Sequence, residues 1–203
     1  KQVMKIGVLK FQTLGNTFSV IKALETFKNV SVKIIENEDD VKDLDKIVMP
    51  GVGSFFSAID YLEKTKKIDA IKLSAKSKPI LGICLGMQLL CKSSNEVYLK
   101  NGFSFFDIDI KKLPNFLTVP VVGFQKVQSS KKDSILLKNL KEREFYFMHS
   151  YYAPCFEDTK ATIKINNFEY SAVLEKDNFF GVQFHIEKSR DAGLKVFKNF
   201  IDL

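Results

Sequence analysis

Arginine is nearly missing from this 203-residue chain: only Arg143 and Arg190 occur, so a formal net charge of +7 is carried almost wholly by lysine. Proteins that read nucleic-acid bases lean on the planar arginine fork, and its scarcity argues against that class. The lysine pairs Lys66-Lys67, Lys111-Lys112 and Lys131-Lys132 are scattered, as on a solvated surface. Cysteine is sparse too. Cys84, Cys91 and Cys155 make an odd count without a C-x-x-C pair, which argues against a disulfide framework and a structural zinc site. No apolar run approaches the roughly 20 residues that span a bilayer, and no charged-then-apolar segment opens the chain. A soluble cytoplasmic protein is expected, with no metal, no membrane contact and no nucleic-acid partner. Repeats, linkers and low-complexity tracts are absent as well, so one domain over residues 4–203 is expected. Lys1–Val3 precede Met4, a candidate natural start, and take no part in the functional reading.

What is present is ordinary globular composition, 45% hydrophobic and 27% charged, enough for one full core. The first half alternates apolar β-like runs with helical spacing: Lys5–Leu9, a helix over Phe18–Phe27, Val30–Ile35, Lys46–Met49, helices over Phe55–Leu62 and Ile68–Ser74, the strand Pro79–Ile83, and a helix from about Leu85 to Cys91. That rhythm predicts an α/β fold with a mostly parallel central sheet and helices on both faces. From about Ser93 the pattern changes to short runs separated by turn residues, which predicts added antiparallel strands. A final helix over Ala192–Phe200 closes the chain.

The sharpest chemical feature is Gly82-Ile83-Cys84-Leu85-Gly86, placed between an apolar strand and a helix. This is the context of a nucleophile elbow with cysteine in place of serine. Glycines permit the sharp turn, and the first N–H groups of the following helix favour a thiolate. Cys91, seven residues on, is about 10 Å along the expected helix, too far for a disulfide with Cys84, and is read as core. Cys155, after Pro154, has no catalytic company. In His185-Ile186-Glu187 an extended backbone would put both polar side chains on one side, so Glu187 could orient the imidazole. Cysteine, imidazole and carboxylate then form a triad in the order Cys84, His185, Glu187. The other histidine, His149, sits in an aromatic-rich strand end, where it either packs against the site or serves as a hydrogen-bonding post in the core. Pro50-Gly51-Val52-Gly53 follows a strand and can supply one oxyanion donor, the Leu85 N–H supplying the second; losing one such donor typically costs about 3 to 4 kcal/mol. A phosphate loop is disfavoured because the Gly-Lys-Ser/Thr ending is absent.

With these blocks, and with Gly15-Asn16, Ser19-Val20, Tyr146–Tyr152 and Gly181–His185, the chain resembles the class I glutamine amidotransferases over nearly its whole length. Within them it is most similar to the glutaminase subunits of imidazole glycerol phosphate synthases of histidine biosynthesis. The resemblance implies that Cys84 attacks the side-chain amide of L-glutamine and that His185, held by Glu187, protonates departing ammonia. It makes the Val52 and Leu85 N–H groups the oxyanion donors and places Gly51, Gln88, Ser150 and Tyr151 around the substrate. It implies no cofactor, and it implies a heterodimer with a (β/α)₈ cyclase that receives the ammonia, with activity low until that partner and its ligand reshape the oxyanion strand. The chain departs from the family at Phe11-Gln12, at Pro120-Val121-Val122-Gly123-Phe124-Gln125, and at Ile186, where proline is common. Poor binding to a standard histidine-pathway cyclase and a looser His-Glu pair are the expected consequences. The alternatives are a paralogue that feeds ammonia to the amidation of a surface-sugar precursor, a related glutaminase of vitamin B6 synthesis, a non-catalytic binding subunit, and a cysteine hydrolase that acts alone.

Overall fold

The computed structural model describes residues 3–11, 15–130 and 133–203. Gln12 and the Lys131-Lys132 pair, named above, lie outside the described residues. The first half alternates as its hydrophobic spacing predicts: β1 (Met4–Leu9), α1 (Gly15–Glu25), β2 (Val30–Ile35), β3 (Lys46–Met49), α2 (Phe55–Lys64), α3 (Lys67–Ser74), β4 (Ile80–Ile83) and α4 (Leu85–Leu90). The four strands run parallel in the order β2-β1-β3-β4. Every residue of β3 and β4 is buried, because helices cover both faces of a parallel sheet.

The second half contributes β5 (Cys91–Ser94), β6 (Lys100–Asn101), β7 (Phe106–Lys112), β8 (Val121–Ser129), β9 (Glu144–His149), β10 (Tyr151–Tyr152), β11 (Thr159–Ile165), β12 (Phe168–Lys176), β13 (Phe179–Val182) and α5 (Arg190–Ile201). β13 pairs parallel with β4 and antiparallel with β12, and the sheet continues through β11 and β8 to β9, nine strands in all. β10, β7, β5 and β6 form a separate small sheet. Val20 and Leu24 of α1 pack with Val196, Phe197 and Phe200 of α5 in one apolar cluster, while Phe55, Ile59 and Leu62 of α2 and Ile71 of α3 belong to a second. Lys46 is buried in β3, and its ammonium is satisfied by the carbonyls of Phe200, Ile201 and Leu203 at 2.8, 2.9 and 3.2 Å, the C-terminal end of α5. Among the described residues no helix is long and apolar enough to cross a membrane.

One expectation is corrected here. Cys91 does not continue α4; it opens β5, paired with Phe106 of β7. The helical spacing is overridden by a strand partner more than a dozen residues away, a contact that no local window contains. Cys91 is nonetheless fully buried, and its thiol faces the Met87 carbonyl at 3.5 Å.

The elbow glycines are required by closeness. A Cβ on Gly86 would overlap the carbonyl oxygen of Met49, and a Cβ on Gly82 would overlap the backbone of Gly86 and Met87, so α4 lies directly on β3 and β4. Both obstacles are backbone and cannot rotate away. Gly86→Ala is expected to destabilise the fold by about 3 kcal/mol, which urea denaturation of the variant would measure.

Candidate active site

β4 and β13 lie side by side with Ile83 opposite Val182, so the residues just beyond their C-terminal ends meet at one edge of the sheet. Open α/β sheets bind ligands at that edge. Cys84 makes the turn from β4 into α4 at φ 55° and ψ −110°, a conformation L-residues rarely take, with its N–H donating to the Val182 carbonyl at 2.8 Å. Strain of this kind costs on the order of 1 to 3 kcal/mol and persists where the surroundings over-determine it. Here β4, α4 and the close glycine contacts do so. The thiol lies 3.8 Å from the Met148 carbonyl, and the Gln183 carboxamide Nε2 donates to its sulfur at 3.7 Å.

On the neighbouring strand, the His185 N–H donates to the Tyr146 carbonyl at 2.8 Å, and the ring Nδ1 meets Glu187 Oε1 at 2.9 Å with both side chains fully buried. The extended backbone expected for this pair is not what joins them. Glu187 sits in a 3₁₀ turn over Ile186–Lys188, and the turn folds its carboxylate back under the ring. Ile186, in the place where proline is common, is buried at 2% exposure and anchors that turn in the core. The Ser189 hydroxyl closes it by donating to the His185 carbonyl at 2.6 Å and accepting from the Tyr146 N–H at 3.0 Å.

Burial pulls the His185 imidazolium down, but interactions with Cys84 and Glu187 outweigh it and push the pKa up to about 10. Nε2 has no closed hydrogen bond. The ring and the Cys84 sulfur are near enough to perturb one another without a hydrogen bond of good geometry between them. A thiol at a strand-to-helix turn, beside an imidazole that carries a proton and is held by a carboxylate, is equipped for acyl transfer through a thioester.

Cys84 opens onto a cleft of about 250 Å³ whose walls include Val52, Gly53, Leu85, Gln88, Glu96, Met148, His149, Ser150 and Tyr151. The expected Val52, Leu85, Gln88, Ser150 and Tyr151 are thus brought together with the thiol. Gly51 is not on the wall; it packs on Leu85, where a Cβ would stand 3.2 Å from the Leu85 Cβ. His185 and Glu187 are likewise buried away from the cleft.

Comparison with known proteins agrees with this geometry. Residues 13–203 match the family described as glutamine amidotransferase class-I. The chain belongs to the class I glutamine amidotransferases. The amidotransferase is 40% identical over 198 residues to the imidazole glycerol phosphate synthase subunit HisH of Caldanaerobacter subterraneus subsp. tengcongensis, with 96% of each chain covered. It is 38% identical over 209 residues to the subunit of that name from Leptospira borgpetersenii, covering 98% of this chain and 100% of that one. Among solved structures it is similar to a glutamine amidotransferase at a TM-score of 0.76 and 13% identity, with 97% of each chain covered. A second, from Thermotoga maritima, has a TM-score of 0.63 at 13% identity, covering 100% of this chain and 84% of that one. These structural likenesses carry the fold.

Two residues near the amidotransferase nucleophile were given no role by sequence reasoning. Glu96 is the carboxylate on the cleft wall, held by the Phe55 N–H at 2.8 Å; it lies between β5 and β6, where no local pattern marks it. Gln183 stood in an apolar run and in the block that carries the resemblance, with no role of its own, yet it is fully buried against Cys84.

His149 of the amidotransferase has the opposite fate to His185. Its Nε2 meets the Tyr170 hydroxyl at 3.0 Å, and burial, with the positive charge of His185, pushes its pKa down to about 3. The unfolded chain therefore takes up this proton near the ordinary 6.5, before the native state does, and the associated stability is lost as pH falls from there to about 3. His149→Gln is expected to flatten the acid limb of stability against pH, measured by denaturant unfolding between pH 7 and 5. In the substituted strand β8, Val121 is buried and Phe124 packs edge-on to Tyr146 at 5.5 Å, under the Arg190 guanidinium at 4.4 Å.

Proposed function

We propose that this amidotransferase is the glutaminase subunit of an imidazole glycerol phosphate synthase in histidine biosynthesis: one catalytic domain over residues 4–203, working as a heterodimer with a (β/α)₈ cyclase. The observation that carries the reading is the near-full-length similarity, at 33 to 40% identity, to chains named as subunits of that enzyme. The buried His185–Glu187 pair, which acts on the Cys84 thiol at the edge of the cleft, supports it.

The Cys84 sulfur, its proton already held by His185, adds to the side-chain carbonyl carbon of glutamine. The carbonyl oxygen takes up negative charge, which the Val52 and Leu85 backbone N–H groups stabilise. His185 gives its proton to the departing nitrogen, ammonia leaves, and a glutamyl thioester remains on Cys84. Water gives a proton to the now neutral ring as it attacks the thioester, which releases glutamate and restores the anionic sulfur beside the protonated imidazole. Glu187 keeps the ring oriented and stabilises it while it is charged. Gln88, Ser150 and Tyr151 surround the amino-acid portion of the substrate, Gly51 supports Leu85 from behind the wall, and the Glu96 carboxylate is available to the substrate ammonium. Free ammonia in water at neutral pH is mostly protonated and no longer a nucleophile, which is why a docked acceptor is part of the reading.

A paralogous role, supplying ammonia for amidation of a surface-sugar precursor, is favoured by one observation: Phe124 and Val121 occupy the run where the family carries tryptophan and histidine. Ammonia and glutamate release from L-glutamine separates the two. The purified chain is assayed alone and with the barrel cyclase of its own organism plus the imidazole-precursor ligand. Strong ligand-dependent activation is expected. An inert pair whose Cys84 is still labelled by a glutamine-mimicking electrophile would transfer the protein to the second role.

A further inference from the structure

Two groups approach the Cys84 sulfur besides the His185 ring, and they favour opposite protonation states. The Met148 carbonyl, at 3.8 Å, can only accept a hydrogen bond, so it suits the thiol and repels the anion. The Gln183 carboxamide, at 3.7 Å, presents its NH₂, which strengthens as negative charge grows on sulfur.

The direction of the Gln183 amide is dictated from elsewhere. The Tyr151 backbone carbonyl can only accept, so Gln88 must turn its NH₂ towards it, at 3.0 Å. The same NH₂ donates to Gln183 Oε1 at 3.1 Å. With its oxygen so occupied, Gln183 has its two N–H groups on the sulfur side. Reversing either amide would set oxygen against oxygen at Tyr151 or NH₂ against NH₂ between the glutamines. Gln183 is 0% exposed, so no solvent competes with this chain of bonds. Both donors of Gln88 are engaged inward, which leaves its oxygen to accept from a ligand N–H in the cleft.

We propose that Gln183 is a further catalytic residue: its buried carboxamide donates to the Cys84 sulfur, holds it towards the cleft as it becomes an anion, and links it through Gln88 to the occupancy of the substrate site. The inference rests on Cys84 being the glutaminase nucleophile, but its test does not require turnover. Its position just past β13, beside the end of β4, puts it on the nucleophile by strand register rather than by any flexible loop.

The experiment is the rate of Cys84 alkylation by iodoacetamide against pH, resolved by peptide mass spectrometry from Cys91 and Cys155, in the wild type, Gln183→Met and Gln183→Glu. Methionine keeps the volume and removes the donor; glutamate places an acceptor against sulfur. The alkylation midpoint is expected to move to higher pH in the order wild type, Met, Glu, by at least about one unit for Glu, a tenfold loss of reactive thiolate below the midpoint. Glutamine turnover in the presence of the partner should fall by about 10- to 100-fold in kcat with KM changed less than about threefold.

A purely structural role predicts a lower melting temperature with an unmoved alkylation midpoint, and that outcome overturns the proposal. Should a variant fail to fold, the wild type alone decides: the Gln183 side-chain amide resonances should titrate with the same midpoint as Cys84 alkylation and become pH-independent in Cys84→Ser. Their failure to titrate in the wild type also overturns it. Shifted alkylation in a chain that never hydrolyses glutamine would leave this inference standing and remove the glutaminase reading.

Discussion

Cys84→Ala is expected to lower glutamine turnover by about 10⁴-fold or more while leaving the fold and partner binding in place. The loss is that of a residue without which no thioester forms; removal of a nucleophile in comparable acyl-transfer sites costs up to about 10⁶-fold. The fold survives for a local reason. The strained turn at φ 55° is enforced by β4, α4 and the Gly82–Gly86 contact, none of which involves the thiol, and alanine at that φ is as strained as cysteine. Circular dichroism, cyclase co-elution and ammonia release together check the expectation. Retained ammonia release would remove Cys84 from the mechanism.

Glu187→Gln is expected to cost about 10³- to 10⁴-fold in kcat, because the amide can hold the ring but neither selects its donor state nor stabilises its charge. It should also change how stability depends on pH. In the unfolded chain the His185 imidazolium loses its proton near 6.5, whereas in the fold it keeps it to about 10. Between those values the native state holds the extra proton, so the stabilisation is complete below 6.5, declines as pH rises and is gone above about 10. With one of its two supports removed, the variant's decline should be shallower and end at lower pH. Urea unfolding of wild type and variant at pH 6, 8 and 9.5 measures the difference, and parallel curves would show that Glu187 does not hold this proton.

Much of this was legible in the sequence because it is local. The glycine spacing around Cys84 and the all-apolar run before it are written within one strand and turn, and β4, the sharp turn and α4 follow in that order. What stayed hidden depends on contacts between distant segments. Cys91 opens a strand because Phe106 is its neighbour, and Glu187 reaches its ring through a 3₁₀ turn that Ser189 and Tyr146 stabilise. Gln183 matters because β13 sits beside β4, a pairing between residues a hundred positions apart. Val52 and Ser150 were expected at the site by resemblance alone, since neither side chain announces a place on the cleft wall, where both stand.

The position of β13 has a consequence for the making of the protein. Until the last part of the chain leaves the ribosome, β4 is a bare edge of four apolar residues with its hydrogen bonds unmet, a template for association with other chains. β13 fills that edge as it pairs with β12 on its other side, and in the same event it delivers His185 to Cys84. Protection from aggregation and the onset of enzymatic competence are therefore one step of folding, and a slow one, because it closes a loop of nearly the whole second half of the chain.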